Sequence, residues 1–417
     1  MSLKRRTRRE FMKSAALGAA AVASAQLTAR SYARVIGAND RIRIGQIGCG
    51  DRGRQAHMQQ VHQFSKEENV EIIAVCDPWK EMTDQAAALV KEWYGRDAKP
   101  FSRYQELIAL SDIDAVCIAS PDHLHPLILT AAANAGKDAY CEKPWAMKLE
   151  DLNMMVDAVK KNNRIVQAGT QLRSMASFTG CKKLVQSGAL GRIFKAEQVR
   201  NGYQPYWHRY AERPIKESEV DWKAFLGPLP DRPFNGKLLA GWYGYRDFSS
   251  GPIGGFMSHF IDLVHYITGE KFPKCAVTLQ GKKVWEDDFT CPEVVHTVLE
   301  YPSGMLVSYA TTFGNGSGNL FHLFGKRGMM DCTDWEKPTV TGGGSEAPDK
   351  VKNGPVEPVE ITQHMQNWLQ CLRTRQQPNA NVDAGNQHGV AVILSDMAMV
   401  AGRRMVYDAE KRRILPG

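Results

Sequence analysis

The sequence predicts two domains: an N-terminal α/β unit on a doubly wound parallel sheet, and a C-terminal α+β unit with a large, mainly antiparallel sheet. Three observations carry that prediction. Short apolar, β-branched runs alternate with helical stretches between residue 41 and about residue 170, as in a parallel sheet covered on both faces. A glycine-rich turn closes the first of those runs. Beyond residue 170 the strands lengthen and helices no longer separate them. At 417 residues the chain also exceeds what one ordinary core accommodates.

The first 33 residues read as an address rather than as fold. Thr7-Arg8-Arg9-Glu10-Phe11-Met12-Lys13 matches the twin-arginine export pattern. A short Ala-rich run follows at 15–25, and Ser31 and Ala33 offer a cleavage site after Ala33. The rival readings are an amphipathic first helix or a membrane anchor, but the run is far shorter than the ~20 apolar residues a span needs. Most of the formal charge of +8 sits here, in Lys4, Arg5, Arg6, Arg8, Arg9, Lys13 and Arg30 against Glu10. The remainder gives no reason to expect nucleic acid as a partner. No later segment is apolar enough for a stable membrane span, and the protein is expected to be exported, to the periplasm.

Residues 34–41 read as a linker and 42–170 as the first domain. Strands are expected at 41–47, 70–76, 114–119, 138–141 and 165–168, with helices at 53–64, 80–94, 123–135 and 149–162. Residues 171–417 form the second domain. A helix near 178–186 leads to strands at 193–201, 274–284, 294–301 and 305–312, and Tyr301-Pro302-Ser303-Gly304 is a hairpin turn. Residues 203–253 are loop-rich and aromatic, and so long a loop points to function. Residues 342–358 read as a mobile surface loop, and helices return at 361–374 and 384–405. The nine cysteines include no C-x-x-C pair, which argues against a zinc site and for buried free thiols.

Chemistry gathers at the carboxyl ends of the first-domain strands, where open α/β sheets bind ligands. Gly48-Cys49-Gly50-Asp51-Arg52-Gly53 is a G-x-G-x-x-G between a strand and a helix. Its glycines allow a tight turn, close approach to a pyrophosphate and close helix packing, and the helix N-terminus favours phosphate. Asp77 ends the next strand, where a carboxylate takes both ribose hydroxyls and repels a 2′-phosphate, so NAD is favoured over NADP. Ser120-Pro121-Asp122-His123-Leu124-His125-Pro126 and Glu142-Lys143-Pro144 follow two further strands. A lysine at such a place can donate a proton to a carbonyl or hold an alkoxide beside a nicotinamide, although a lone lysine is more often a solvated charge.

Together the Gly48–Gly53 loop, Asp77, Ser120–His125 and Glu142-Lys143-Pro144 resemble the Gfo/Idh/MocA family, which includes glucose–fructose oxidoreductase and inositol dehydrogenase. The likeness runs over roughly 41–410 and continues in Gly169-Thr170-Gln171, Asp221-Trp222, Leu226-Gly227-Pro228 and His259-Phe260-Ile261-Asp262. The resemblance implies a Rossmann domain and a sheet domain through which copies associate as a homo-oligomer. It also implies a site for a sugar or polyol between the domains. It makes Lys143 the catalytic lysine, positioned by Glu142 and by a cis bond before Pro144, and His259 the catalytic histidine. It assigns Gly48, Gly50, Asp51, Arg52, Gly53, Asp77, Ser120, Pro121, His123, His125, Glu142 and Lys143 to the cofactor. Gln171, Arg173, Tyr203, Trp207, His208 and His259 are the candidates for substrate contact. One departure stands out: many relatives carry Asp four residues before the histidine, and this chain has Gly255. The expected activity is hydride transfer at a carbinol carbon of a sugar or polyol. Because an exported enzyme meets no soluble NAD pool, its cofactor is expected to stay bound and be recycled in place. Redox-neutral glycoside cleavage through a transient ketone, and NAD-containing binding without catalysis, are the alternatives.

Overall fold

The computed structural model describes residues 40–210 and 213–417. The export segment and most of the linker lie outside the described residues.

Six strands form the first sheet: β1 (Ile42–Ile47), β2 (Val70–Cys76), β3 (Lys99–Phe101), β4 (Ala115–Ile118), β5 (Asp138–Cys141) and β6 (Val166–Ala168). Their order is β3-β2-β1-β4-β5-β6 and every pairing is parallel. The order reverses between β1 and β4, which opens a crevice at the carboxyl ends of those strands. All four residues of β4 and of β5 are buried, because helices cover both sides. The edge strand β3, Lys-Pro-Phe, is too short and too exposed to show a hydrophobic pattern.

The second sheet has ten strands: β7 (Ile193–Val199), β8 (Cys275–Gln280), β9 (Val294–Glu300), β10 (Leu306–Thr312), β11 (Leu320–Gly325), β12 (Gly328–Asp331), β13 (Thr339–Gly342), β14 (Gly354–Pro355), β15 (Met405–Asp408) and β16 (Arg413–Pro416). The order is β14-β13-β12-β11-β7-β10-β9-β8-β15-β16, antiparallel except for the β7–β10 pair. Residues 342–358 are mostly irregular and exposed, as expected of a surface loop, apart from the two-residue edge strand β14 and one 3-10 turn. Gly354 and Pro355 pair with Val340 and Thr339 of β13, a backbone contact that side-chain pattern does not signal. Helices Ser258–Thr268 and Val382–Ala401 cover one face of this sheet. The opposite face is open, with Val277, Leu279, Val298 and Leu306 exposed.

The chain does not divide cleanly at residue 170. Helix His364–Thr374 returns to the first domain, where Trp368 packs edge-on to Tyr140 of β5. The edge strand β6 is held by 364–380: Ala168 N–H donates to the Ala380 carbonyl at 2.8 Å, and His364 Nε2 bonds the Ala168 carbonyl at 2.9 Å. Helix Val382–Ala401 then runs between the domains. An added Cβ at Gly385 would stand 2.4 Å from the Trp145 ring, so only glycine lets the helix seat there. All nine cysteines are buried and free.

Candidate active site

The glycine loop is shaped by contact. Gly48 has φ +83°, and a Cβ there would lie 2.4 Å from the Ala119 backbone at the end of β4. A Cβ at Gly53 would meet the Gly48 carbonyl at 2.0 Å, so the helix closes tightly on its own loop, whereas Gly50 faces open space. Asp77 ties the loop to β2: one carboxylate oxygen accepts from Cys49 N–H at 2.7 Å, the other from Trp79 N–H at 2.9 Å. Burial pushes the Asp77 carboxyl up to about 6. A cleft of about 860 Å³ lies over these groups, lined by Gly48, Gly50, Asp51, Arg52, Asp77, Ser120 and Pro121, with Trp242 and Tyr243 on its far wall. Open space at Gly50, a helix N-terminus and a carboxylate at the end of β2 fit the pyrophosphate and ribose of a dinucleotide.

A smaller chamber of about 160 Å³ adjoins the cleft and shares Arg52, Ser120, Trp242 and Tyr243 with it. Its other walls include Asp122, His125, Glu142, Lys143, Gln171, Gly255 and His259. Glu142 follows β5, and its Oε1 accepts from Arg52 Nε at 2.6 Å and from His57 Nε2 at 3.0 Å. Those partners hold its carboxyl well below the usual range in spite of burial. Glu142 therefore stays ionised and anchors its surroundings. Lys143 Nζ donates to the Gly255 carbonyl at 2.9 Å. That carbonyl lies in a π-helical turn, Ile253–Met257, and such turns free backbone groups from the helical ladder. Burial lowers the Lys143 pKa while Glu142 and Asp122 act to raise it. The Lys143–Pro144 bond is cis. His125 Nδ1 donates to the Pro144 carbonyl at 2.8 Å and fastens the turn. His259 is kept neutral by burial, and its Nδ1 has no hydrogen-bond partner among the described residues.

The structure thus brings Lys143, His259, Gln171, Glu142, Ser120 and His125 around one space beside the cleft. Five sequence candidates lie elsewhere. Arg173 does not reach the chamber; its guanidinium grips Asp262 with two bonds of 2.8 and 2.6 Å, both side chains buried. Trp207 is fully buried among Tyr206, Phe289 and Phe313. His208 Nε2 bonds Asp287 at 2.8 Å and its ring stacks on Phe289. Tyr203 is 82% exposed, over Gly316. His123 turns away from the cleft, its Nε2 donating to the Phe225 carbonyl at 3.1 Å while its ring meets Phe248. Partners from distant sequence satisfy the polar groups of Arg173, His208 and His123, whereas Trp207 is taken up by ring packing and Tyr203 stays exposed. Conversely Asp122, Trp242 and Tyr243 line the site without having been singled out. Asp122 sits inside the quoted Ser120–Pro126 turn, and the two aromatics belong to the loop whose function was expected.

Comparison with known proteins places this geometry. Residues 42–170 match the family described as "Oxidoreductase family, NAD-binding Rossmann fold", and 224–331 match the "GFO/IDH/MocA C-terminal domain". The chain belongs to the Gfo/Idh/MocA family. Its first domain is the family's NAD-binding domain, and NAD is the cofactor the cleft accommodates. An uncharacterized oxidoreductase of Streptococcus pneumoniae is 30% identical over 201 residues, 46% of this chain and 52% of that one. A levoglucosan dehydrogenase of Pseudarthrobacter phenanthrenivorans is 33% identical over 169 residues, 40% of this chain and 36% of the relative. The matched region thus spans about half or less of those two proteins. A glycosyl hydrolase family 109 protein of Shewanella baltica is 22% identical, with 94% of this chain and 93% of that one covered. The WlbA dehydrogenase from Bordetella pertussis, solved with NADH and UDP-GlcNAcA, shares the fold at a TM-score of 0.67 and 20% identity, over 88% of this chain and 99% of that one.

Proposed function

We propose that this family member transfers a hydride between a carbinol carbon of a sugar or polyol and an NAD that stays bound. The observation that supports the reading is Lys143, held by the Gly255 carbonyl in a chamber that opens from the cofactor cleft. When bound, NAD supplies a nicotinamide carbon that accepts or returns hydride. Lys143 exchanges the proton of the reacting hydroxyl, because its lowered pKa brings its neutral and charged forms closer in energy. Gln171 and His259 meet further hydroxyls, and Trp242 and Tyr243 exclude water. Asp77, with both oxygens fixed by backbone N–H groups, favours NAD over NADP.

The test follows the absorbance of the bound nicotinamide in purified protein across a carbohydrate panel, with product analysis alongside. Turnover in Lys143→Met should fall by about 10²–10⁴-fold, the usual range for a general acid–base group, with NAD still bound. An unchanged rate on a confirmed substrate rejects the assignment. The second reading is redox-neutral glycoside cleavage through a transient keto-sugar, supported by the end-to-end likeness to a family 109 glycosyl hydrolase. Transient reduction of bound NAD with glycoside release and no net oxidation would establish it. Absence of any reduction would favour a binding protein. We further propose export by the twin-arginine route, and self-association through the open face of the ten-stranded sheet, where Val277, Leu279, Val298 and Leu306 are exposed. Sedimentation of the native chain at micromolar concentration as a monomer would sink the second of these.

A further inference from the structure

Position 255, where many relatives carry a carboxylate, has none to offer here. A Cβ added at Gly255 would stand 2.4 Å from the Tyr206 hydroxyl, which donates to the Gly251 carbonyl at 3.2 Å. The phenol thus fills the volume that an aspartate side chain at this position would need. The consequence is visible at His259, whose Nδ1 is left without a partner among the described residues. Two nearby carboxylates are unable to substitute. Glu142 is committed to Arg52, His57 and the Lys143 backbone N–H, and Asp262 to the Arg173 guanidinium.

Asp122 is different. It opens the short 3-10 turn after β4, is 3% exposed, and lines the same chamber as Lys143 and His259. The Ser249 hydroxyl and Ser250 N–H face it, and Lys143 is the cation that acts on it most strongly. We propose that Asp122 is the carboxylate of the proton-transfer site, coupled across the chamber to Lys143. The inference rests on the oxidoreductase reading for its substrate, a hydroxyl-bearing carbohydrate, but not for the coupling itself.

The substrate O–H bond breaks, an N–H bond forms at neutral Lys143, and the lysine becomes +1. The Asp122 carboxylate offsets that charge, and through a substrate hydroxyl or a water it takes the proton as an O–H bond, returning the lysine to neutral. In the reverse direction each bond is remade. The groups that face Asp122 fit such a role. Lys143 and Glu142 approach from the turn after β5, Tyr206 and Tyr243 from the aromatic loop, and Cys291 from the segment before β9. Burial opposes the ionised carboxyl and Lys143 stabilises it, leaving its pKa at about 7, where either form is accessible.

The test measures Lys143 directly. NAD-loaded protein is acetylated with acetic anhydride across a pH series, and modification of the Lys143 peptide is read by mass spectrometry. Loss of a neighbouring negative charge should lower the Lys143 titration midpoint in Asp122→Asn by roughly one unit, the lower end of the usual effect of an opposite charge. Asp122→Ser, a smaller neutral variant, should move it the same way, and Asp122→Glu should restore it. With a confirmed substrate, Asp122→Asn should also lose on the order of 10²-fold in turnover with NAD retained. A midpoint unchanged in both neutral variants overturns the inference even if sugar turnover is found. Failure of every carbohydrate to reduce the bound NAD, with the midpoint shifted, overturns the sugar reading and leaves the coupling standing.

Discussion

Arg173 separates a substrate ligand from a brace more sharply than any other residue. It follows Gln171, which lines the chamber, yet its guanidinium is 9% exposed and doubly bonded to Asp262, which is 1% exposed. Nη1 also donates to the Asn379 carbonyl at 3.2 Å, and the guanidinium lies 5.0 Å from the Tyr266 ring centre. Arg173→Met keeps the stem and removes the charge, so the Asp262 carboxylate is left buried and uncompensated. Removing one partner of a buried pair typically costs about 3–5 kcal/mol. At roughly 2–4 °C per kcal/mol for a unit of 150–250 residues, the melting temperature should fall by roughly 6–20 °C. Calorimetry and urea titration on the NAD-loaded protein would measure it. Arg173→Met with Asp262→Leu should recover much of the loss, since an apolar pair of similar volume often replaces an ion pair at little cost. A fall below about 1 kcal/mol together with a large rise in KM would refute this reasoning and return Arg173 to the substrate.

The remaining predictions concern the cofactor, the altered histidine partner and export. Because burial pushes the Asp77 carboxyl up to about 6 and ribose hydroxyls donate to its ionised form, NAD affinity should hold above that pH and weaken below it. Calorimetric titration would check this, and equal binding of NADP would contradict the assignment. In the cofactor-free protein the sign reverses: an acid whose pKa rises from 3.8 to about 6 on folding contributes stability at low pH that is lost as pH rises through that window. Gly255→Asp should lower stability and turnover rather than improve catalysis, because its Cβ collides with the Tyr206 hydroxyl. Higher turnover in that variant would show that the phenol yields readily. Arg8→Lys with Arg9→Lys should retain the precursor in the cytoplasm, read by fractionation, and unchanged export would remove the argument for on-site cofactor recycling.

In the first domain the central strands and the ligand edge are legible in the sequence, but the short edge strand β3 is not. Buried parallel strands need near-continuous apolar runs, and β2, β4 and β5 supply them. The glycine loop, Asp77, and the turns carrying Ser120, His125, Glu142 and Lys143 sit directly after such strands, so local order alone places them on one edge. The outer strands of the second sheet were not legible, since β12 to β14 are short and owe their order to backbone pairing with neighbours. Nor was the return of 364–374 to the first domain, which depends on where an amphipathic face finds a partner. At the site, packing between distant segments sets which polar groups are spent and which are free. Arg173 faces Asp262, 89 residues away, and His208 faces Asp287, 79 away. Glycine at 255 reads in sequence as a missing acid; only the fold brings Tyr206, 49 positions earlier, against it and sets Asp122 on the wall of the chamber that Lys143 also lines. Spacing along the chain reports which strand end a residue occupies. Whether its charge is already paired depends on contacts between segments far apart in sequence.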